Sequence, residues 1–231
     1  MDGCIFGGAN PVALRSGGAL SCGALAGEAE WVELLRPGTP TQRVVLPYPN
    51  AGLGGQELVV SPDERYAAMY VYSGQSEQGY ELFELAPALR HLRSVRYLEG
   101  EGDAPRFSPD GRWLVMVTTV VPTIRGTEEY VEEILTGGQG DAPVRLAEVL
   151  VDWAEVSVLE VPDGELSQVA IGTLLSRGFD YDAFSEWTLH EAWQFSAADR
   201  VTMVLPWGAG LELQIPPIGP VTTEPFPVSE D

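Results

Sequence analysis

Few side chains in this 231-residue chain have the type and spacing that nucleophilic or metal chemistry requires. The two histidines, His91 and His190, are the candidate imidazole bases, and no Gly-x-Ser-x-Gly nucleophile motif accompanies them. His91 lies in the polar run Arg90 to Arg93 and is expected between strands, on the surface. Zinc needs three or four closely spaced Cys, His or carboxylate ligands, which neither histidine has nearby. No glycine-rich phosphate loop occurs. The sequence therefore predicts no catalytic residue, no metal, no cofactor and no enzyme.

Carboxylates are too numerous to single out by composition. The chain has 34 of them, so a glycosidase-like acid pair stays open, since such enzymes need only two suitably placed acids. Asp63, Asp110 and Asp199 each follow a serine closely, in segments with turn chemistry. Such a carboxylate accepts hydrogen bonds from the turn's own N–H groups. We predict a structural role for all three.

The segments SPDERYAAMY, at 61–70, and SPDGRWLVMV, at 108–117, are near copies of each other. Ser-Pro-Asp-Gly is a β-turn sequence, and apolar runs on both sides predict a hairpin. A degenerate copy, Phe195 to Leu205, keeps a serine, an acidic residue and an arginine. The three serine anchors lie 47 and 88 residues apart. Such near-fixed spacing indicates a repeat architecture.

The run Ala104-Pro105-Arg106-Phe107 followed by SPDGRWL resembles the TolB-like, WD-repeat-like β-propeller repeat, whose signature joins the two innermost strands of a blade. Glu64 stands where the family has Gly, and the Ser196 copy lacks both Pro and Gly. The resemblance implies an all-β fold, a small propeller of about four blades that is closed, open or incomplete. It implies no catalytic residues. A ring completed by a second chain and a two-sheet sandwich are the alternatives.

The predicted organisation is a single domain over residues 1–231. Its blades are expected at 8–50, 56–100, 104–171 and 190–216. In the first blade, the turn Arg15 to Gly18 lies about one period before Ser61. An insertion is expected at 122–143. The proline-rich acidic tail, 216–231, is expected to pair poorly, so residues 4–6 are a candidate outer strand for the last blade.

Two stretches are candidates for binding a partner. Thr127 could cap a short helix over the following residues, and an acidic surface hairpin is the alternative. Residues 179–187 alternate aromatic and acidic side chains, which would either form a binding patch or pack beneath the next blade. Asp180 and Asp182 lack the glycine and distal glutamate of a calcium loop. The predicted partner-binding residues are Glu128, Glu129, Tyr130, Glu132, Glu133, Phe179, Tyr181, Phe184 and Trp187.

The net charge of −21 comes with thirteen basic residues, all of them arginine. Such a surface repels phosphate backbones and disfavours nucleic acid as a partner. It fits either a requirement for solubility or a basic protein steered in by the field. No apolar run approaches 18 residues, so no membrane span is expected. Without a recognisable signal peptide, a cytoplasmic location is slightly favoured, and a mature periplasmic or secreted chain stays open. Cys4 and Cys22 are expected to be unpaired, and a disulfide between them in an oxidising compartment is the alternative.

These observations favour a non-catalytic protein-binding or scaffold module that uses a propeller surface. The first alternative is an acidic inhibitor or immunity-type protein that masks a basic partner. The second is a hydrolase-associated propeller domain. The oligomeric state is left open.

Overall fold

The fold is all-β, as the sequence predicts. The structure, a computed structural model, describes residues 11–24, 30–46, 54–72, 78–98, 101–102, 104–126, 149–175, 192–205 and 208–223. The strands in these ranges are β1 (Val12–Ala13), β2 (Ala19–Ala24), β3 (Glu30–Leu35), β4 (Gln42–Val45), β5 (Gly54–Val60), β6 (Tyr66–Tyr72), β7 (Gln78–Glu84), β8 (Arg90–Leu98), β9 (Glu101–Gly102), β10 (Arg106–Phe107), β11 (Trp113–Ile124), β12 (Val149–Glu160), β13 (Leu166–Leu175), β14 (Trp193–Ala197), β15 (Arg200–Val204), β16 (Gly210–Gln214) and β17 (Val221–Thr223).

The strands form four sheets. The first sheet has the order β1-β2-β3-β4 and the second β5-β6-β7-β8, each with neighbours antiparallel. The third has the order β10-β11-β12-β13-β17, with β9 also paired to β11. The fourth is β14-β15-β16. Strands that follow each other in the chain pair in space, and the two Ser-Pro-Asp turns join β5 to β6 and β10 to β11, as the hairpin prediction requires.

The chain divides into two compact units. The first comprises Met1–Gly100, Ala104–Val115 and Leu159–Glu165, and the second comprises Glu101–Asp103, Met116–Val158 and Leu166–Asp231. In the first unit, alternate residues of β3 are buried, as expected for a strand with one face on a core. The first and second sheets share one apolar cluster, formed by Leu14, Leu20, Cys22, Val32, Leu34, Leu46, Leu58, Ala67, Met69, Val71, Phe83, Leu85 and Leu89. The Gln42 side-chain oxygen also accepts a hydrogen bond from the Leu89 N–H at 2.7 Å.

The second unit has its own buried residues. Trp153, Val156 and Val158 of β12 are at most 2% exposed, and Trp193 and Met203 of the fourth sheet are each 1% exposed. Its last strand, β17, pairs in parallel with β13, in the register Ile171 to Val221.

Several expectations need correction. β11 extends through Pro122 to Ile124, so the insertion begins later than predicted. The tail does pair: β17 lies between Pro220 and Pro225, where each residue keeps its N–H. Cys22 is disulfide-bonded, so the expectation of an unpaired thiol is wrong there. Cys4, the other cysteine, and the strand proposed for residues 4–6 lie outside the described residues.

Candidate functional site: a row of three turns

The two predicted Ser-Pro-Asp turns have the same hydrogen bonds. Ser61 Oγ donates to Asp63 Oδ1 at 2.7 Å, and Ser108 Oγ donates to Asp110 Oδ1 at 2.6 Å. Each aspartate oxygen also accepts the N–H two residues later, at 3.1 Å in both turns. Each serine oxygen accepts the N–H five residues later, at 3.0 and 2.9 Å. Both carboxylates are thus structural, as predicted, and the serines are buried.

A third turn lies one period earlier and begins in the same way, but it is one residue shorter. The Leu14 N–H donates to the carbonyl four residues later, whereas the Ser61 and Ser108 N–H groups donate to carbonyls five residues later. Leu14, Ser61 and Ser108 are spaced 47 residues apart. The carbonyl of each accepts the N–H three residues later, at 3.1, 2.9 and 2.8 Å. The donors are Gly17, Glu64 and Gly111, and all three have positive φ, of 83°, 55° and 74°. The 47-residue repeat therefore includes the first hairpin, although that turn has neither the serine nor the proline.

The three turns lie side by side within the first unit. The Glu64 carboxylate accepts the N–H of Arg15 and, at 3.0 Å, that of Ser16. A Cβ on Gly111 would lie 3.6 Å from Asp63 Oδ1. The residue at this position in the second and third turns, Glu64 or Gly111, therefore faces the preceding turn. We call residues 14–19, 61–66 and 108–113 the turn row.

This contact explains why Glu64 departs from the repeat signature. Position 15 corresponds to Pro62 and Pro109, which have no N–H, whereas Arg15 has one. Glu64 satisfies that donor despite a positive φ, which is unusual for a non-glycine residue. At Gly111, a glutamate would instead approach the Asp63 carboxylate, and like charges would repel.

The outer side of the turn row presents arginines. Arg15, Arg65 and Arg112 are exposed. The Arg65 guanidinium lies 5.4 Å from the Tyr66 ring centroid, and that of Arg112 lies 4.7 Å from the Trp113 ring centroid. Arg112 also pairs with Glu160 at 3.0 Å. These contacts position guanidinium groups on a rigid backbone, an arrangement suited to binding carboxylates and aromatic rings.

Hydrogen bonds hold two carboxylates of the turn row in the ionised form. The Ser108 hydroxyl lowers the pKa of Asp110, helped by the Arg112 N–H and opposed by burial. Ser16 lowers the pKa of Glu64, with further help from the Arg15 N–H and charge. Both carboxylates are therefore occupied by internal donors, whereas the guanidinium groups of Arg15, Arg65 and Arg112 belong to exposed residues.

The degenerate third copy differs. Asp199 Oδ2 accepts a hydrogen bond from Gln214 Nε2 at 3.1 Å, and Ser196 Oγ is 3.5 Å from the Arg200 carbonyl. The Ser-to-Asp bond of the other copies requires a two-residue separation, and here the separation is three. Its aspartate nevertheless has a structural partner.

A buried polar cluster joins β7 and β8 in the second sheet. Glu81 is 0% exposed, and its Oε2 contacts His91 Nε2 at 2.8 Å and Ser94 Oγ at 2.5 Å. The carboxylate thus lies between the serine and the imidazole, whereas a catalytic triad needs the imidazole beside the nucleophile. His91 belongs to β8 and is half-buried, so its predicted place in a surface loop is wrong.

All nine predicted partner-binding residues, with His190, Asp180 and Asp182, lie outside the described residues. The turn row was missed as a site, although its spacing signal was available: residues 15–18 lie one period before the Ser61 turn. Among the described residues, no group of three or more His, Cys, Asp or Glu side chains could hold a metal ion. No helix in those ranges is long and apolar enough to cross a membrane.

Comparisons with known proteins add little. No protein-family model matches the chain, and no curated protein matches it. The crystal structure of Chaetomium thermophilum Sqt1 is similar with a TM-score of 0.31 and 14% sequence identity. That match covers 87% of this chain and 54% of the Sqt1 chain. This chain thus spans about half the length of that structure, and a TM-score of this size carries no argument.

Proposed function

We propose that this chain is a small, TolB-like β-propeller that acts as a non-catalytic scaffold and binds a protein partner through the turn row. The observation that carries the proposal is a set of three turns that begin 47 residues apart, share one backbone hydrogen bond and a positive φ, and lie side by side. A preformed surface loses little conformational entropy on binding. Arginine is also enriched among the residues that contribute most to protein interfaces.

The test uses arginine variants of the turn row. Proteins that the full chain retains from an extract of its native host are identified, and the affinity of a purified partner is measured by calorimetry. Arg65→Ala combined with Arg112→Ala should weaken binding at least about tenfold, as expected for interface arginines. Arg200→Ala is the matched control, because Arg200 is also exposed and pairs with a glutamate, Glu212, at 3.0 Å. Equal affinity in all variants would exclude the turn row.

The second candidate is an acidic inhibitor that masks a basic partner, and the charge distribution favours it. The first unit has nine arginines and fifteen acidic residues, and the second has four and nineteen, giving net charges of −6 and −15. A basic partner would be drawn to the second unit. Its affinity should fall steeply with salt, and the turn-row variants should leave it unchanged.

A further inference from the structure

The C-terminal strand is held differently from the strands of the first, second and fourth sheets, which pair antiparallel. β17 runs parallel to β13, with Ile171, Gly172 and Thr173 opposite Val221, Thr222 and Thr223. Three residues of parallel ladder supply few hydrogen bonds, and parallel pairing is slightly the weaker kind. Side-chain contacts must therefore contribute to keeping this strand bound.

Arg125, just after β11, provides that hold. Its Nε and Nη2 lie 2.8 and 2.6 Å from Asp152 Oδ1. Its Nη2 also donates to the Val221 carbonyl at 3.0 Å, and Nη1 donates to Thr222 Oγ1 at 3.2 Å. Asp152 thus fixes the orientation of the guanidinium plane. In this orientation the guanidinium donates hydrogen bonds to one main-chain carbonyl and one hydroxyl of β17. This is how a sheet edge recognises an added strand: backbone contacts give affinity and a side-chain contact selects the register.

Gly172 makes room for this contact. A Cβ there would lie 2.4 Å from Asp152 Oδ1, 2.6 Å from Arg125 Nη2 and 2.8 Å from the Val151 carbonyl oxygen. Any larger residue would displace the ion pair from the edge of β13. The edge is therefore shaped for Arg125 to reach over it to the neighbouring strand.

The connection to β17 is a tether. Ile215, after β16, is buried and its N–H donates to the Asp199 carbonyl at 2.7 Å. Pro216, Pro217 and Pro220 have no N–H, and Ile218 is 99% exposed. Residues 216–220 therefore make few contacts that would keep β17 in place. Extended, such a five-residue segment reaches at most about 17 Å.

We propose that the edge of β13 with Arg125 is a binding site for an extended Val-Thr-Thr segment, and that a second copy of this chain supplies this segment by exchanging β17. An identical chain presents the same carbonyl and hydroxyl in the same register, so both Arg125 contacts are reproduced. A proline-rich hinge favours the extended linker that exchange needs. The net charge of −15 on the second unit opposes association, so exchange increases with protein concentration and with added salt.

Cysteine pairs across the β13–β17 ladder test the exchange. Thr173 and Thr223 are register partners and both are buried, and neighbouring strands are close enough for a disulfide. Full-length Thr173→Cys and Thr223→Cys chains are mixed at low and high concentration, oxidised, and mapped for a peptide that joins positions 173 and 223. The double variant reports pairing within one chain. Peptide mapping separates these links from those of the native cysteines.

The expected result is a linked heterodimer whose yield rises with concentration and with NaCl. Arg125→Lys keeps the charge beside Asp152 but not the planar fork. Because the same contact holds β17 in the closed and in the exchanged form, this variant should change the heterodimer yield and the link within the double variant in the same proportion. Arg200→Lys should change neither. The proposal is overturned if only the double variant cross-links, if neither preparation cross-links, or if Arg125→Lys lowers only the link within one chain.

Discussion

At the scale of the residue, Tyr80 is a buried side chain with an unsatisfied hydroxyl. It is 1% exposed, and its oxygen has no hydrogen-bond partner within the described residues. Burial raises the pKa of Tyr80, with Arg93 opposing the shift, so the hydroxyl stays neutral. Leaving such a group unpaired costs about 1–3 kcal/mol. The ring stabilises the fold, and the hydroxyl does not.

Tyr80→Phe should therefore be as stable as the natural chain or up to about 1 kcal/mol more stable. Tyr80→Ala should lose about 3–5 kcal/mol, because it leaves a cavity where the ring packs. Urea unfolding of the two variants measures both values. A clear loss of stability in Tyr80→Phe would mean that the hydroxyl does have a partner.

The Glu81–His91 contact predicts strong coupling between two side chains. Removing one partner of a buried pair leaves the other poorly compensated, so His91→Ala should destabilise the chain by roughly 2–3 kcal/mol. Glu81→Gln should make the same His91 substitution less costly, and a double-mutant cycle in urea measures the difference. Arg90→Ala is the control, since Arg90 pairs with Glu84 while 66% exposed, and should cost below about 1 kcal/mol. Additive effects of Glu81→Gln and His91→Ala would contradict the coupling.

Asp110 predicts how the turn row responds to acid. Its folded-state pKa lies below the unfolded value because Ser108 and the Arg112 N–H donate to the carboxylate. The ionised form therefore stabilises the fold above the unfolded pKa, about 3.9. This contribution is lost as pH falls through the lower, folded-state pKa. Asp110→Ala should be less stable than the natural chain at neutral pH, and the gap should close in acid. Thermal unfolding of the two proteins against pH measures this gap, and a gap that stays constant in acid would contradict the prediction.

At the scale of the element, Glu64 has opposing effects on the turn row. Its φ of 55° is costly for a residue with a Cβ, whereas its carboxylate links two hairpins. Glu64→Ala loses the carboxylate and keeps the strained φ, whereas Glu64→Gly also removes the strain. The alanine variant should therefore be the less stable of the two by about 1 kcal/mol in urea unfolding.

Glu165 gives the matched comparison for Glu64. It is exposed and is not among the positive-φ residues. There, alanine should be at least as stable as glycine, because glycine has the larger entropy cost. The same order at both positions would mean that φ does not determine the result at Glu64.

The strands were largely predictable from sequence, because alternation and turn chemistry are local signals. The apolar pattern predicts strands at Trp31 to Leu35 and at Val149 to Val161, and they are observed as β3 and β12 with nearly these bounds. The position of His91 was predicted wrongly because the polar run Arg90 to Arg93 has no alternating strand pattern. This run is the start of β8, and the pairing register between β7 and β8 shifts between Leu82 and Phe83 of β7.

The turn row was less predictable, because it depends on contacts between distant segments. Asp63 and Asp110 could be assigned to turns from their neighbours alone. The contact of Glu64 with Arg15 spans 49 residues and has no local signal. The first turn also lacks the serine and proline that identify the other two, so only its spacing marks it as a member of the repeat.

At the scale of the whole molecule, the 47-residue spacing of the turns and the uneven net charge of the two units support different candidate functions. The repeated hairpins and the shared core of the first unit favour a rigid binding surface. The second unit instead carries most of the negative charge. The two candidate functions thus depend on different units, and arginine variants of the turn row and the salt dependence of binding separate them.

The net charge of −21 also predicts that salt stabilises the chain. Like charges repel more strongly in the compact state than in the expanded unfolded chain, and added ions screen that repulsion. The midpoint of thermal unfolding should therefore rise as NaCl increases from low concentration towards about 0.15 M, where the Debye length has fallen to about 8 Å. KCl should act identically, because screening depends on ionic strength and not on the cation. A flat or falling midpoint would mean that salt weakens stabilising ion pairs, such as Arg112–Glu160, at least as much as it relieves the net repulsion.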